Sequence, residues 1–271
     1  MGSAVATRFT HDGHRVRALV RNGAKLPAGE SVPGDITDQG ALALAARDVD
    51  LAVHCAAVVS DDLDLCQRIN VQGTQNLIDA LINARCRLLV HISTISVYDD
   101  AAGPDFDEES PQWSLPANAY GFTKAEAERA VRRAGSRGLS AVVLRPGLVA
   151  SMHPRSRWGP LAIARASASD GNILPFPEIP YVHVTNLVDA IVLAATTPVA
   201  RGRAYNVIDG VAPTAEYLTA VYAAIGRPPP LIATDAPRPR FRAERIRSDL
   251  SWSPVDRWPA FISELRRAGR S

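Results

Sequence analysis

The order of elements along this chain predicts an α/β protein built on a doubly wound parallel sheet. Three observations carry the prediction. Strand-like apolar runs alternate with helical stretches up to about Gly147. Two of the runs, Arg87-Leu88-Leu89-Val90-His91-Ile92-Ser93 and Ala141-Val142-Val143-Leu144-Arg145-Pro146, are continuous, as strands buried on both faces are. Thr94, the Tyr120 helix and Pro146 all follow strand ends, where such sheets bind ligands.

The elements follow in order. Val5, Ala6 and Phe9 recur at helical spacing, and Gly13 is placed to end that helix. His14–Val20 is a short strand closing at the turn Arg21-Asn22-Gly23. Ser31–Ile36 holds the next strand end, and Asp38–Arg47 is a helix rich in Ala and Leu. Leu51–His54 is a strand followed by the small residues Cys55-Ala56-Ala57. A long helix runs from about Leu65 to Ala84, and a polar, proline-rich loop leads to the Tyr120 helix. After Gly147 the rhythm loosens and prolines accumulate, which marks a smaller lobe. Helix Asn186–Ala195 and strand Arg203–Ile208 read as returning to the sheet. The expected division is a first domain of residues 1–150, rejoined by 182–210, and a lobe of 151–181 and 211–271.

Composition narrows the function classes. Of 271 residues, 46% are hydrophobic and 21% charged, as in globular proteins. The net charge is +2 and no basic run is interleaved with aromatics, so no nucleic-acid partner is expected. No apolar run is long enough to span a membrane and no signal pattern opens the chain, so no membrane partner is expected. Cys55, Cys66 and Cys86 lack metal spacing and leave an odd thiol, which fits a reducing cytoplasm and no metal site.

The stretch Asn118-Ala119-Tyr120-Gly121-Phe122-Thr123-Lys124 carries the chemistry. Tyr120 and Lys124 are four apart on a helix, so they share a face. A free phenol has a pKa near ~10 and needs a cation within about 4–6 Å to be useful at neutral pH. Lys25 and Lys124 are the only lysines, with Arg elsewhere, and Arg does not supply a compact, tunable ammonium. Alone, the pair reads as a Tyr and a Lys exposed on a helix, a spacing that chance often produces.

Together with their neighbours these residues resemble the extended short-chain dehydrogenase/reductases: NAD(P)-dependent epimerases, dehydratases, and reductases related to 3β-hydroxysteroid dehydrogenase and dihydroflavonol reductase. Ser93-Thr94-Ile95-Ser96-Val97-Tyr98 is similar to the family's strand-end motif, and Tyr120/Lys124 to its catalytic pair. Arg145-Pro146-Gly147, His54-Cys55-Ala56-Ala57, Gly34-Asp35-Ile36 and Asn70-Val71-Gln72-Gly73-Thr74 match further motifs in the right order. The resemblance implies a Rossmann-like domain and a small-molecule substrate bound against the smaller lobe. It implies Thr94, Tyr120 and Lys124 as catalytic residues. It places the cofactor against Gly2, Arg21, Asp35, Ile36, Cys55, Ala56, Ala57, Asn70, Ser93, Pro146 and Gly147, as well as Tyr120 and Lys124. A homodimer through helices Leu65–Ala84 and Tyr120–Ala134 is implied in the same way. Each residue also has a plain structural reading: Thr94 as a turn cap, Asp35 and Arg21 as surface turn residues, His54 as a core residue, Gly73 as a packing site.

Two departures from the family pattern stand out. Of the glycine-rich turn that follows the family's first strand, only Gly2 remains, so Met1 reads as an internal methionine of a longer protein or the start of a truncated gene. The sheet is then expected to lack its central strand and the chain to bind cofactor weakly. Leu148-Val149-Ala150-Ser151-Met152 and Asp99 also depart from the family at the substrate cleft. Arg21, where an acid would bind the ribose 2′-hydroxyl of NAD, favours NADP. The expected function is hydride transfer between nicotinamide and a carbonyl or alcohol. A nucleotide-sugar epimerase or dehydratase, or a degenerate binding protein, are the alternatives.

Overall fold

The computed structural model describes residues 1–21, 29–168, 176–231 and 239–268. The turn expected at Asn22-Gly23, Lys25 and the Pro237-Arg238 stretch lie outside them.

Helix α1 (Gly2–His11) buries Val5, Ala6 and Phe9, and stops at Gly13, whose φ of +88° a side chain would strain. Strands β1 (Arg17–Val20) and β2 (Glu30–Pro33) pair in parallel, and Arg17 Nε donates to Glu30 at 2.6 Å. Asp38 caps α2 (Gln39–Ala46) by accepting from Ala41 N at 3.0 Å. After β3 (Leu51–His54), the expected long helix is three segments: α3 (Leu63–Cys66), a π turn (Gln67–Gln72) and α4 (Gly73–Asn83). Gly73 is the packing site: a Cβ there would lie 2.7 Å from Ile36 Cγ2.

The chain continues through β4 (Leu88–Ile92), β5 (Asp105–Phe106), α5 (Ala119–Ala134), β6 (Ser140–Pro146) and β7 (Leu148–Ala150). Then come α6 (Pro160–Ala168), β8 (Glu178–His183), α7 (Val184–Thr196), β9 (Ala204–Val207), β10 (Gly210–Pro213) and α8 (Thr214–Ala224). β11 (Arg240–Phe241), α9 (Glu244–Leu250) and α10 (Trp258–Arg267) complete the described elements.

The parallel strands fall into two sheets. One has four strands in the order β3–β4–β6–β9, and the other is the pair β1–β2. β1 and β3 each keep one edge without a strand partner among the described residues. Helices cover both faces of the four-stranded sheet. Leu88, Val90 and Ile92 pack with α1 and α7, whereas Leu89, Ala141 and Val143 pack with Ile78 and Leu81 of α4 and Val131 of α5. This is the doubly wound arrangement expected.

The smaller lobe has its own sheet, β7–β8–β10, and its own core around Tyr181, Tyr217, Trp258 and Phe261. The expected boundary needs two corrections. β7 lies before residue 151 but pairs with β8, so it joins the lobe's sheet. Residues 243–252, assigned to the lobe, bury Ile246, Leu250 and Trp252 in the core beside α7, and Trp252 Nε1 donates to Asn186 O at 3.0 Å.

Candidate active site

The catalytic candidates meet where β4 ends. Ser93 N donates to Leu144 O at 2.7 Å, carrying the β4–β6 ladder one residue beyond β4. Thr94 then caps a short 3-10 turn over Ile95–Val97, its hydroxyl accepting from Ser96 N at 3.1 Å. The turn-cap reading of Thr94 holds, and the residue does more: its side chain faces the Tyr120 phenol and works to lower its pKa. Asn118 caps α5 by accepting from Gly121 N at 2.9 Å. Gly121 allows the helix to start against that turn, because a Cβ there would meet Ser96 O at 2.2 Å. Trp113 Nε1 donates to the same carbonyl at 3.0 Å.

Burial pushes the Tyr120 phenol up to about 12, opposed by Thr94 and by the Arg157 guanidinium. The Lys124 ammonium donates to Ile92 O at 2.8 Å and lies 3.3 Å from His91 Nε2, wholly inside the protein. A buried ammonium takes the nearest strong acceptors, here a strand-end carbonyl and an imidazole. Burial lowers Lys124 to about 8, opposed by Glu128.

Glu128 is one turn beyond Lys124 and fully buried with Arg145, whose guanidinium binds it in a fork at 3.0 and 2.8 Å. Arg145 also donates to Tyr98 Oη at 2.8 Å and Glu108 O at 3.0 Å, and Tyr98 donates to Asn206 Oδ1 at 2.6 Å. This network fixes α5, β6 and β9 beneath the site. Sequence reasoning missed Glu128. Its only trace was its spacing of four from Lys124 on one helix face. His91 and Arg157 were missed as well.

The cofactor candidates divide by setting. Arg21 and Asp35 end β1 and β2 with their charges 3.7 Å apart, and Asp35 also accepts from Thr37 N and Oγ1 at 3.1 and 3.0 Å. Ile36 is buried under Gly73. Cys55 lies against Gly2, with its thiol pushed up to about 11 by burial, and Ala56 and Ala57 are exposed. Asn70 uses its amide on protein: it bonds Val58 N and O at 2.9 and 3.0 Å and donates to Thr123 Oγ1 at 3.1 Å. It therefore ties the loop after β3 to the Tyr120 helix. Pro146 is buried, and a Cβ on Gly147 would come 2.6 Å from Pro180 O.

These residues fit a dinucleotide. No side chain caps α1, its first turn holds no acid, and Gly2 and Ser3 are exposed beside the end of β3. Such an end presents free N–H groups to a pyrophosphate. Among the described residues no group of His, Cys, Asp and Glu is arranged to hold a metal, and no helix is long and apolar enough to cross a membrane.

Comparison with known proteins agrees with this geometry. The model of the NAD dependent epimerase/dehydratase family matches residues 1–207. A UDP-glucose 4-epimerase of Vibrio cholerae is 30% identical over 211 residues, covering 72% of this chain and 63% of that protein. The chain thus spans less than two thirds of that relative. A 3-diazoavenalumate denitrifying reductase of a Streptomyces species is 27% identical over 282 residues, covering 90% of this chain and 89% of that protein. A short-chain dehydrogenase/reductase superfamily protein from Agrobacterium tumefaciens, solved with bound NAD, superposes with a TM-score of 0.78 at 27% identity, covering 99% of this chain and 94% of that one. A parallel sheet clad on both faces, a Tyr–Thr pair at a strand end and a family match over residues 1–207 converge on one conclusion: the chain belongs to the NAD-dependent epimerase/dehydratase family, of the extended short-chain dehydrogenase/reductase type.

Proposed function

We propose that this chain is an NAD(P)(H)-dependent oxidoreductase acting on a small carbonyl or alcohol substrate, with Tyr120 as its acid–base group. The observation that carries the proposal is the part-buried Tyr120 phenol faced by the Thr94 hydroxyl at the end of β4. Bound nicotinamide would supply or accept the hydride. Tyr120 hands a proton to the substrate oxygen or takes one from it, and Thr94 orients that oxygen. With its pKa raised to about 12, the phenol stays protonated at neutral pH and suits the acid direction. The base direction calls on the Lys124 ammonium, the residue that the family resemblance also sets against the nicotinamide ribose.

The α1 N-terminus would hold the pyrophosphate, with Arg21, Asp35 and Ile36 at the adenosine end and Cys55, Ala56, Ala57, Ser93, Pro146 and Gly147 along the nicotinamide side. Arg21 supports NADP(H), because a guanidinium pairs with a 2′-phosphate. The NAD bound to the Agrobacterium relative supports NAD(H) as the alternative. A nucleotide-sugar epimerase is the second reading, favoured by the Vibrio cholerae relative. It keeps Tyr120 in place but regenerates the cofactor internally, so no net NAD(P)H would appear during turnover. A homodimer through α4 and α5 belongs to the same reading and is tested by sedimentation.

Titration of the chain with NADPH and NADH, followed by nicotinamide fluorescence, tests the proposal. Saturable binding of either supports it, and failure of both to bind would favour the non-enzymatic alternative.

A further inference from the structure

Behind the catalytic helix lies a buried polar chain that no step above uses. Alternation along β4 and β3 turns His91 and His54 to the face covered by α4 and α5. Their rings lie 5.0 Å apart, tilted by 50°, and both are buried. His54 Nε2 is 2.9 Å from Thr74 Oγ1, and that hydroxyl donates to Asn70 O at 2.6 Å. Thr74 has one proton and has given it to Asn70, so it accepts from His54, which fixes His54 as the Nε2–H tautomer. His91 Nε2 is 3.3 Å from Lys124 Nζ, and His91 Nδ1 is buried with no hydrogen-bond partner among the described residues. An imidazole accepting from an ammonium through Nε2 carries its proton on Nδ1.

The unpartnered Nδ1 is the informative atom. Burying a polar nitrogen without a partner is unfavourable, so a His placed only for packing would have its ring turned toward a second acceptor. Here, among the described residues, the ring's one hydrogen-bond contact is to Lys124, with the His54 ring packed beside it at 5.0 Å. We propose that His91 is the positioning residue for Lys124: its Nε2 holds the amine at the Ile92 carbonyl and, as a neutral acceptor, keeps it protonated in a buried site. The proposal deepens the reading of Lys124 as part of the catalytic set.

The surroundings of Lys124 make this acceptor matter. From its own helix it feels the Glu128 carboxylate, which is already committed to Arg145. From the β3 side it faces the Cys55 thiol, which burial keeps protonated, and beyond His91 lies the neutral His54. Glu128 favours the charged form from one turn away, and the hydrogen-bond partners that hold the ammonium itself are two neutral acceptors, Ile92 O and His91 Nε2. Burial and the charge of Lys124 both lower His91, so the imidazole does not compete for the proton.

The scarcity of lysine makes the test direct. With only Lys25 and Lys124 in the chain, lysine labelled at Cε and Nζ gives two side-chain signals, and Lys25→Arg assigns them. The pH titration of Lys124 is followed by NMR without cofactor or substrate, in the parent, His91→Leu and His91→Gln. His91→Leu removes the acceptor and is expected to lower the Lys124 pKa by about one unit or more. His91→Gln retains an acceptor oxygen and is expected to stay within about half a unit of the parent. The 15N shifts of His91 in the parent are expected to show the Nδ1–H tautomer. A parent-like Lys124 titration in His91→Leu, or an Nε2–H tautomer of His91, would overturn the proposal. If His91→Leu fails to fold, His91→Gln and the tautomer decide. Because nothing is bound, these results are independent of whether Tyr120 catalyses the proposed reaction.

Discussion

Two sets of parallel strands in this molecule are built to different standards. β4 is buried at all five positions, and β6 at six of seven. β1 is buried at none of its four, and β2 only at Val32. The chemistry follows the difference. Thr94, the carbonyl that holds Lys124 and the Glu128–Arg145 pair all belong to or lean on the four-stranded sheet. Arg21 and Asp35, the residues proposed to read the adenosine end, stand on the solvent-facing pair and meet at 3.7 Å, with Arg21 two-thirds exposed. The groups proposed to act on a reacting atom are fixed by dense packing, whereas those proposed to choose between cofactors rest on a few screened contacts. Substitutions in the first region should therefore disturb stability, and those in the second should alter recognition and little else.

The largest effect is expected at the buried ion pair. Arg145→Met takes from the Glu128 carboxylate its fully buried partner, leaving it Gln112 and the part-exposed Arg132, and is expected to destabilise the fold by about 3 kcal/mol. Adding Glu128→Leu should restore much of that loss. Urea unfolding of the two variants measures it, and an unchanged midpoint for the single variant would break the comparison at its strongest point. Next is Gly121→Ala, whose methyl carbon has 2.2 Å to Ser96 O where it needs over 3 Å. A loss of about 2 kcal/mol is expected, together with reduced turnover as Tyr120 moves. Parent-like thermal stability would mean that α5 is not pinned there.

The acid side gives the third prediction. His54 is lowered to about 3 by burial and the Lys124 charge, against an ordinary value of 6.5. A depressed folded-state pKa contributes stability that is fully present above 6.5 and is lost as pH falls toward 3. The loss approaches about 1.4 kcal/mol per pH unit well below 6.5. His54→Asn should flatten that slope, and an equal slope in parent and variant would remove His54 from the cause. The smallest structural effect is expected from Arg21→Asp. Stability should change by less than about 0.5 kcal/mol, while the ratio of NADPH to NADH dissociation constants should shift toward NADH. An unchanged ratio at one ionic strength would show that Arg21 does not reach the ribose.

The strand–helix order was legible because it follows from local periodicity, whereas the grouping of Thr94 with Tyr120 and Lys124 came from the family resemblance. The direction of the Lys124 amine was not legible. Spacing places Tyr120 and Lys124 on one face but does not say which acceptor the amine meets, and Ile92 O lies 32 residues away in sequence. The pairing of Glu128 with Arg145 was hidden for a related reason. A Glu in a run such as Ala125-Glu126-Ala127-Glu128-Arg129 reads as solvent-facing until the helix is packed. Asn70 was legible as a motif, but its role as a tie between Val58 and Thr123 depends on two elements meeting. Residues 243–252 were misassigned because their apolar pattern shows that they bury a face but not which core receives it.

The measurement that bears most directly on the acid–base role of Tyr120 is a parallel determination of turnover and cofactor affinity for the parent and Tyr120→Phe. The expected result is a fall in kcat of about 10²–10⁴-fold, with the nicotinamide dissociation constant within a few-fold of the parent. Near-full turnover by Tyr120→Phe, with any substrate the parent accepts, would contradict it.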